Sequence, residues 1–519
     1  MKTKNTRSIV LISVLIAVFA INFGFVFSTL NSNSHTQQIT LIDDLRTSTE
    51  YNVTIVIDDT NPAQDWATRK AEGLCTGSGT AVDPYIISGH VFNSFLNIKN
   101  SRKHFRVQNC EFTDTVYGMW ILNISNGIIE DNHVTNALFG FDIMNCSHIE
   151  FRNNNCSLTG NTGILAQFSN DLSFYSNILS KKTSDGIRLN TLENSILEGN
   201  TLNDNNRYGI MIVDSESLTI TANTAALNLM GVYVADSDFC LISGNSVNES
   251  DAHGIYVSSS DNNTIEDNTV QYSVLSGVFL DNSEDTLIYK NSLSHNNENG
   301  IELTSSDNIT ILDNEAFNNT ENGINVFSSD ENRLETNDLH QNGENGIQLI
   351  SGSQQNILTG NIASFNNLSG IALELNSHNN LIYDNIASNN KHHGFYISGS
   401  NNNFITLNFA NDNTLNGIQL LLSDRNRITS NTVHNNVNGT NLVSSDDNVI
   451  FGNNLANNIY CYNETNSFDN IYENNICQSP ATPSLPLDPF ILGLIIGLVV
   501  GFGALAAVLI LNSLRGRKK

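Results

Sequence analysis

Two aspartates, Asp214 and Asp236, stand at the same distance after two glycines, Gly209 and Gly231. Carboxylates held in register ~5 Å apart suit a retaining glycosidase pair or a shared Ca²⁺ ion. Asp185 and Arg188 flank Gly186, and His253 precedes Gly254. An acid pair with an Arg or His beside it offers charge neutralisation and general acid–base work, which sugar lyases and hydrolases need. Composition supplies the opposing reading. With 52 Asp and Glu in the chain, some acids fall in register simply as solvated turn residues. Tyr233, Tyr256 and Phe279 each lie two residues after a glycine. Stacked ~4.8 Å apart, they form a platform for sugar rings or merely pair across strands to stabilise a sheet. The candidate site is therefore Asp214 and Asp236 as catalytic or calcium-binding acids, with Tyr233, Tyr256, Phe279, Arg188 and His253 as ligand contacts. No cofactor other than that calcium ion is implied.

Registers of this kind need a repeat to create them. Gly followed by apolar–any–apolar recurs from Gly118 (GMWI) and Gly140 (GFDI) through Gly254 (GIYV), Gly277 (GVFL) and Gly300 (GIEL) to Gly439, in steps of 22 to 24 residues. An Asn precedes each Gly by eight or nine residues, as at Asn132, Asn200, Asn223, Asn268, Asn314, Asn361 and Asn431, with Asn109, Asn453 and Asn474 extending the series. A further Asn stands five residues earlier in several copies, at Asn263, Asn332, Asn356, Asn380, Asn403, Asn426 and Asn448. Apolar residues alternate within each copy, as in Ile255-Tyr256-Val257, which is the strand period. Two or three short strands per repeat make one coil of a parallel β-helix, whose inner face is buried only by stacking on the next coil. The Gly is expected to take positive φ at a corner. The Asn is expected to tolerate left-handed turns, or to turn inward and pair with backbone groups of adjacent coils. Pro is absent between Tyr85 and Ser479, because each coil must donate hydrogen bonds to its neighbours.

The expected architecture is all-β, a single-stranded parallel β-helix of about 16 coils over residues 89–478. An N-terminal cap and lead-in over 38–88 precede it. There Ile39–Ile42 and Val53–Ile57 read as strands, and Trp66 plugs the core. At the far end Asn458 is read in the place of a turn Gly. Cys461 and Cys477 flank the last coil and read equally as a disulfide or as two buried thiols. Cys110 and Cys156 read as small inward hydrophobes, and His133, His148, His392 and His393 as surface residues.

The repeat resembles the right-handed parallel β-helix repeats of the pectin-lyase-like superfamily. It is most similar to the NosD-type carbohydrate-binding and sugar-hydrolase repeats (CASH, PbH1). The stretch Gly77–Ile87 looks like the lead-in that opens many of these β-helices. The resemblance spans roughly residues 75–478 and implies a right-handed helix. It does not single out an activity, since the fold serves lyases, hydrolases, epimerases and inert stalks alike. The NosD name implies copper delivery. This chain, with five Met and no His/Met/Cys cluster at ligand spacing, does not carry that implication.

Charge and the chain ends place the β-helix. A net charge of -28 disfavours nucleic acid as a partner, because phosphate contacts need a basic face. Residues 1–30 carry Lys2, Lys4 and Arg7 before the apolar run Ile9–Phe27, a signal peptide or a retained anchor. Residues 479–489 form a Pro-rich stalk, and 490–512 an uncharged stretch long enough to cross a bilayer. The tail, 513–519, is basic and expected to stay cytoplasmic, which leaves the β-helix outside the cell on a single-pass anchor. The expected partners are the membrane and a polysaccharide or glycoprotein. Three functions follow: recognition along the aromatic face, a membrane-tethered polysaccharide lyase or hydrolase, or an envelope spacer without ligand.

Overall fold

The computed structural model describes residues 48–157 and 160–478. The expected signal or anchor, the Ile39–Ile42 strand, the Pro-rich stretch, the apolar C-terminal segment and the basic tail lie outside the described residues. Among the described residues no helix is long and apolar enough to cross a membrane.

Each repeat folds into three short strands. In one turn they are Ile255–Ser258, Thr264–Glu266 and Thr269–Gln271. Each pairs in parallel with its counterparts one turn earlier and one turn later. Val232, Ile255 and Val278 share one register, Leu241, Thr264 and Leu287 a second, and Ser246, Thr269 and Ser292 a third. The result is a right-handed parallel β-helix of about 17 turns. The alternating pattern puts Val232, Val234, Ile255, Val257, Val278 and Leu280 inside at 0 % exposure, where they stack on the like residues above and below.

The turns that the glycines do not mark lie at the two ends, two of them at the N-terminus. Ile55–Asp58 pairs with Leu96–Ser101, and Tyr85–Ser88 with Phe105–Gln108. The turn opened by Leu96 lacks the repeat glycine, as does the first turn, so counting glycines misses both. The long connection of the first turn also carries the one helix among the described residues, Trp66–Ala71, capped where Asp65 accepts from the Thr68 N–H at 2.8 Å. Trp66 is buried as expected. Its ring stacks on Tyr85 at 4.9 Å, and its Nε1–H donates to Ser101 Oγ at 3.0 Å.

The glycines do a different job from the one expected. The repeat glycines do not have positive φ; non-glycine residues such as Ser259, Asn262, Asp267 and Tyr272 take the left-handed corners. A Cβ at Gly254 would lie 2.2 Å from Val270 Cγ1 and 2.8 Å from the Gly277 carbonyl oxygen. The glycine is thus required where the third strand packs against the first, in a space too small for a methyl group.

The asparagines turn inward, and the left-handed residue is the one before. Asn268 donates both its backbone N–H and its Nδ2 to Asn291 Oδ1, each at 3.0 Å, and its Nδ2 also reaches the Ile242 carbonyl at 2.8 Å. Asn314 then serves Asn291 in the same way. Asn109 and Asn474 are one residue out of step. Both have positive φ, and Cys110 and Asn475 hold the ladder positions. The second column, through Asn332, Asn356 and Asn380, is also present. A third column, Asn296, Asn319, Asn342 and Asn366, went unread in the sequence. Asn458 belongs to this third column, bonded to Asn436, and Cys461 holds the place of the turn glycine.

Cys461 and Cys477 form a disulfide across the last turn. Cys110 and Cys156 are buried at 2 % and 0 %.

Two substitutions separate these roles. Gly254→Ala should cost at least about 2 kcal/mol through overpacking, whereas Asp267→Gly, at a positive-φ corner, should cost under about 1 kcal/mol; thermal melts of the two variants compare them. Asn291→Ala should strip two donors of Asn268 of their acceptor and cost about 2–4 kcal/mol, read as faster hydrogen exchange at the Asn268 amide than at amides five turns away.

Candidate functional site: an aromatic and acidic sheet face

The first strand of every turn contributes one side chain, two residues after the glycine, to a common outer face. Strand pairing puts Met211, Tyr233, Tyr256, Phe279, Glu302, Asn325 and Gln348 in one column. These positions are half-buried rather than freely exposed, except Met211, which is buried. The aromatic members are in ring contact. Centroids are 5.2 Å apart between Tyr233 and Tyr256 and 5.0 Å between Tyr256 and Phe279. Two residues join them from the position just before the glycine. Tyr208 stacks on Tyr233 at 5.1 Å, and His253 on Phe279 at 4.5 Å. Tyr256 donates its hydroxyl proton to Asp281 Oδ2 at 3.2 Å.

His253 is part of the platform rather than a charged partner for acids. Its Nδ1 accepts the Ser276 N–H at 3.3 Å, and burial pulls its pKa down to about 4, so the ring is neutral at physiological pH. His393, read as a surface residue, holds the equivalent place before Gly394. It stacks on Tyr396 at 5.5 Å, accepts the Asn416 N–H at 3.3 Å, and burial depresses its pKa to about 3.

Arg188 lies on the same face, one register before Met211. Its Nη1 is 3.9 Å from Asp185 Oδ2, whose carboxylate is wholly buried. Burial raises the Asp185 pKa, with Arg207 and Arg188 pulling the other way. The Arg207 guanidinium sits 4.9 Å above the Tyr208 ring. The face therefore brings together Arg188, Tyr233, Tyr256, Phe279 and His253, all read from sequence, and adds Tyr208 and Asp281. Tyr208 was legible as an aromatic before Gly209. It was missed because the position before the glycine was followed only for charged and His residues, at Asp185 and His253.

Asp214 and Asp236 are not part of this face. They are exposed, left-handed corner residues at the end of the first strand, with φ of 50° and 48°. Three residues along an extended strand put Asp236 ~10 Å from Tyr233. The pair borders a shallow hollow of about 330 Å³ with Glu193, Glu216 and Asp238. Among the described residues no three His, Cys, Asp or Glu side chains converge as metal ligands would.

Acids that do join the face follow the aromatics. Phe279 is paired with Glu302, whose Oε2 accepts from Ser276 Oγ at 2.6 Å and from Asn299 Nδ2 at 3.4 Å. Glu298, Glu321 and Glu344 stack beside it in successive turns. The Glu321 N–H donates to the Glu298 carbonyl at 3.1 Å, and the Glu344 N–H to the Glu321 carbonyl at 2.9 Å. Burial, helped by the like charges of Glu344, Glu298 and Glu302, pushes Glu321 up to about 7. Burial also raises Glu298, Glu344 and Glu374. A carboxyl that holds its proton to about pH 7, as Glu321 does, can donate it to a group bound beside it.

The fold and this face define a right-handed parallel β-helix protein. A family model described as "Right handed beta helix region" matches residues 227–363. One described as "Periplasmic copper-binding protein (NosD)" matches residues 76–239 and 353–482, more than half of the chain. The chain belongs to the NosD family. No curated protein matches it in sequence. Among solved structures, it is similar to the periplasmic alginate epimerase AlgG (16 % identity, 72 % of this chain and 84 % of that one, TM-score 0.35). It is also similar to the Azotobacter vinelandii mannuronan C-5 epimerase AlgE6 A-module (12 %, 74 % and 91 %, 0.33) and the Dettilon tailspike protein (18 %, 54 % and 62 %, 0.40). At these scores the likenesses carry no argument about function. The described residues do not fit the copper of the family description. Cys75, Cys110, Cys146 and Cys240 are each buried in the core, and among the described residues no His, Cys, Asp or Glu cluster forms beside them.

The raised Glu321 pKa has a stability signature. Its folded value lies above the unfolded one, so its contribution is fully present below about pH 4.5 and is lost as pH rises to about 7. Glu321→Gln should therefore leave stability unchanged at pH 4 and raise it at pH 8, as measured by denaturant midpoints.

Proposed function

We propose that this chain is a surface β-helix, held to a membrane by residues 490–512, that recognises glycans along the face of Tyr208, Tyr233, Tyr256 and Phe279. The observation that carries the reading is the continuous ring stack, half-buried and bounded by groups that hydrogen-bond sugar hydroxyls. Aromatic rings side by side present flat apolar area, which sugar rings cover with their C–H faces. Arg188 and Asp281 at the borders of the stack add directional contacts. A platform spread over four turns suits an extended polymer better than a small molecule.

A second reading rests on Glu302 and Glu321. The aromatic column runs directly into Glu302, and the neighbouring Glu321 keeps its proton to about pH 7. A chain lying on the rings would meet a base and an acid at its end, the equipment of a polysaccharide hydrolase or lyase. This pair replaces Asp214 and Asp236 in that role.

Binding to an immobilised glycan panel separates the readings. Tyr256→Ala should weaken binding about tenfold, the loss of roughly 1.4 kcal/mol of ring contact, while Asp214→Ala and Asp236→Ala leave it unchanged. Product release that vanishes in Glu302→Gln and Glu321→Gln, with binding retained, would establish the enzyme. No binding of wild-type protein across the panel would sink recognition and leave an envelope spacer.

A further inference from the structure

The face that bears Tyr233, Tyr256 and Phe279 carries a second ring cluster nearer the N-terminus. Tyr117 stacks on Phe139 at 5.5 Å and lies 6.1 Å from Trp120, and Phe95 meets Tyr117 edge-on at 5.7 Å. All four side chains are half-buried, like the rings of the first cluster. Strand pairing joins the two clusters in one unbroken column. It runs from Asn97 through Trp120, Asp142, Leu165 and Arg188 to Met211 and Tyr233. Tyr117 and Phe139 hold the position just before the glycine, as Tyr208 does. The rings of Phe139 and Tyr208 stand three turns apart, or ~14 Å, and Trp120 and Phe279 seven turns apart, or ~34 Å.

Rings in register stabilise a sheet without any ligand, so the cluster alone assigns nothing. The polar groups beside it point further. Asn97, which pairs in register with Trp120, is 6 % exposed, and its Oδ1 is buried with no hydrogen-bond partner. A buried acceptor without a donor is destabilising, and a hydroxyl brought by a ligand removes that defect. Between the two clusters Arg188 Nε and Asn190 Oδ1 are likewise buried and unpartnered, and both residues face outward on the strand Ile187–Glu193. The face thus reads rings, unpaired polar atoms, rings. An extended chain of sugars meets such a surface with C–H faces on the rings and hydroxyls on the polar stretch between them. Charge narrows the class of chain. Asp142, Asp185, Asp281 and Glu302 outnumber Arg188 and Arg207 here, in a protein of net charge -28. A polyanionic glycan is repelled by that balance, and a neutral one is not.

We propose that Phe95, Tyr117, Trp120 and Phe139 form a second subsite, so that one strand of a neutral polysaccharide spans both ring clusters. The proposal rests on the glycan-recognition reading of the first cluster. The test titrates the full chain with neutral hexose oligosaccharides of increasing length, in the cello, manno and malto series, and with oligouronates as the charged comparison. Calorimetry gives affinity, and tryptophan emission reports the new subsite. The chain has two Trp, and Trp66 is 1 % exposed, so an emission change on binding belongs to Trp120. Affinity should rise at least about tenfold once a neutral oligomer is long enough to bridge the ~14 Å between Phe139 and Tyr208, because the second contact is then intramolecular. Trp120→Ala should abolish that step, whereas Trp120→Phe should keep the step and lose the emission change. Binding of neutral oligomers with no length step and no Trp120 emission change would overturn the second subsite and leave the first cluster standing. Preference for the oligouronates would overturn the neutral class. Absence of binding to every oligomer would overturn this proposal together with the recognition reading.

Discussion

One amide oxygen accepting two donors from the turn before is the interaction on which this molecule depends. Asn291 Oδ1 takes the backbone N–H and the side-chain N–H of Asn268, and Asn314 Oδ1 does the same for Asn291. The motif turns a corner of the backbone, which would otherwise bury unpaired polar groups, into a fully bonded column. It works only if the period is kept, since a shift of one residue would point every amide the wrong way. The strict repeat in the sequence follows from that constraint. The aromatic face is a by-product of the same register: columns fixed by buried amides and glycines also align whatever stands outside.

Much of this was legible because the repeat carries a chemical reason at each position. Gly254, Asn268 and Ile255-Tyr256-Val257 specify a stacked turn, and stacked turns specify that Tyr233, Tyr256 and Phe279 meet. The disulfide between Cys461 and Cys477 was one of two equal readings, decided by the structure, which joins the two sulfurs across the last turn. What could not be read is which of several polar residues in a turn faces inward. Asn109 and Asn474 look like ladder residues but sit one place early: at Asn474 either of two adjacent asparagines satisfies the pattern, and at Asn109 the ladder position is taken by Cys110, which the pattern does not include. The glycine's role was misread for a related reason. Sequence shows that a side chain is missing, but not whether φ or a neighbouring Val forbids it.

The site was less legible than the fold. Asp214 and Asp236 share a register, and register is all that sequence spacing reports. Their exposure on a corner, ~10 Å from the rings, depends on how many residues the first strand keeps extended. Glu302 keeps the step two residues after a glycine, and Glu298, Glu321 and Glu344 recur every 23 residues, but spacing alone does not set them apart from the other acids. What distinguishes Glu302 and Glu321 is environment: the first accepts from Ser276 and Asn299, and the second is desolvated among like charges. In a chain with 52 acidic residues, only packing tells these apart from the rest.

Strand pairing at the glycine column also bears on the chemical lifetime of the polypeptide. Asn299-Gly300, Asn322-Gly323 and Asn345-Gly346 are dipeptides of the kind that lose ammonia through cyclisation, when the glycine nitrogen attacks the preceding side chain. Here those nitrogens are committed: Gly300 and Gly323 donate to the carbonyls of Asn322 and Asn345, each at 3.0 Å, and Gly346 to that of Ser369 at 3.1 Å. Bonded to the next turn at the entrance to a strand, the nitrogen is held away from the amide carbon. A polypeptide with asparagine at about one position in six, a thermolabile residue elsewhere, is thereby spared slow ageing.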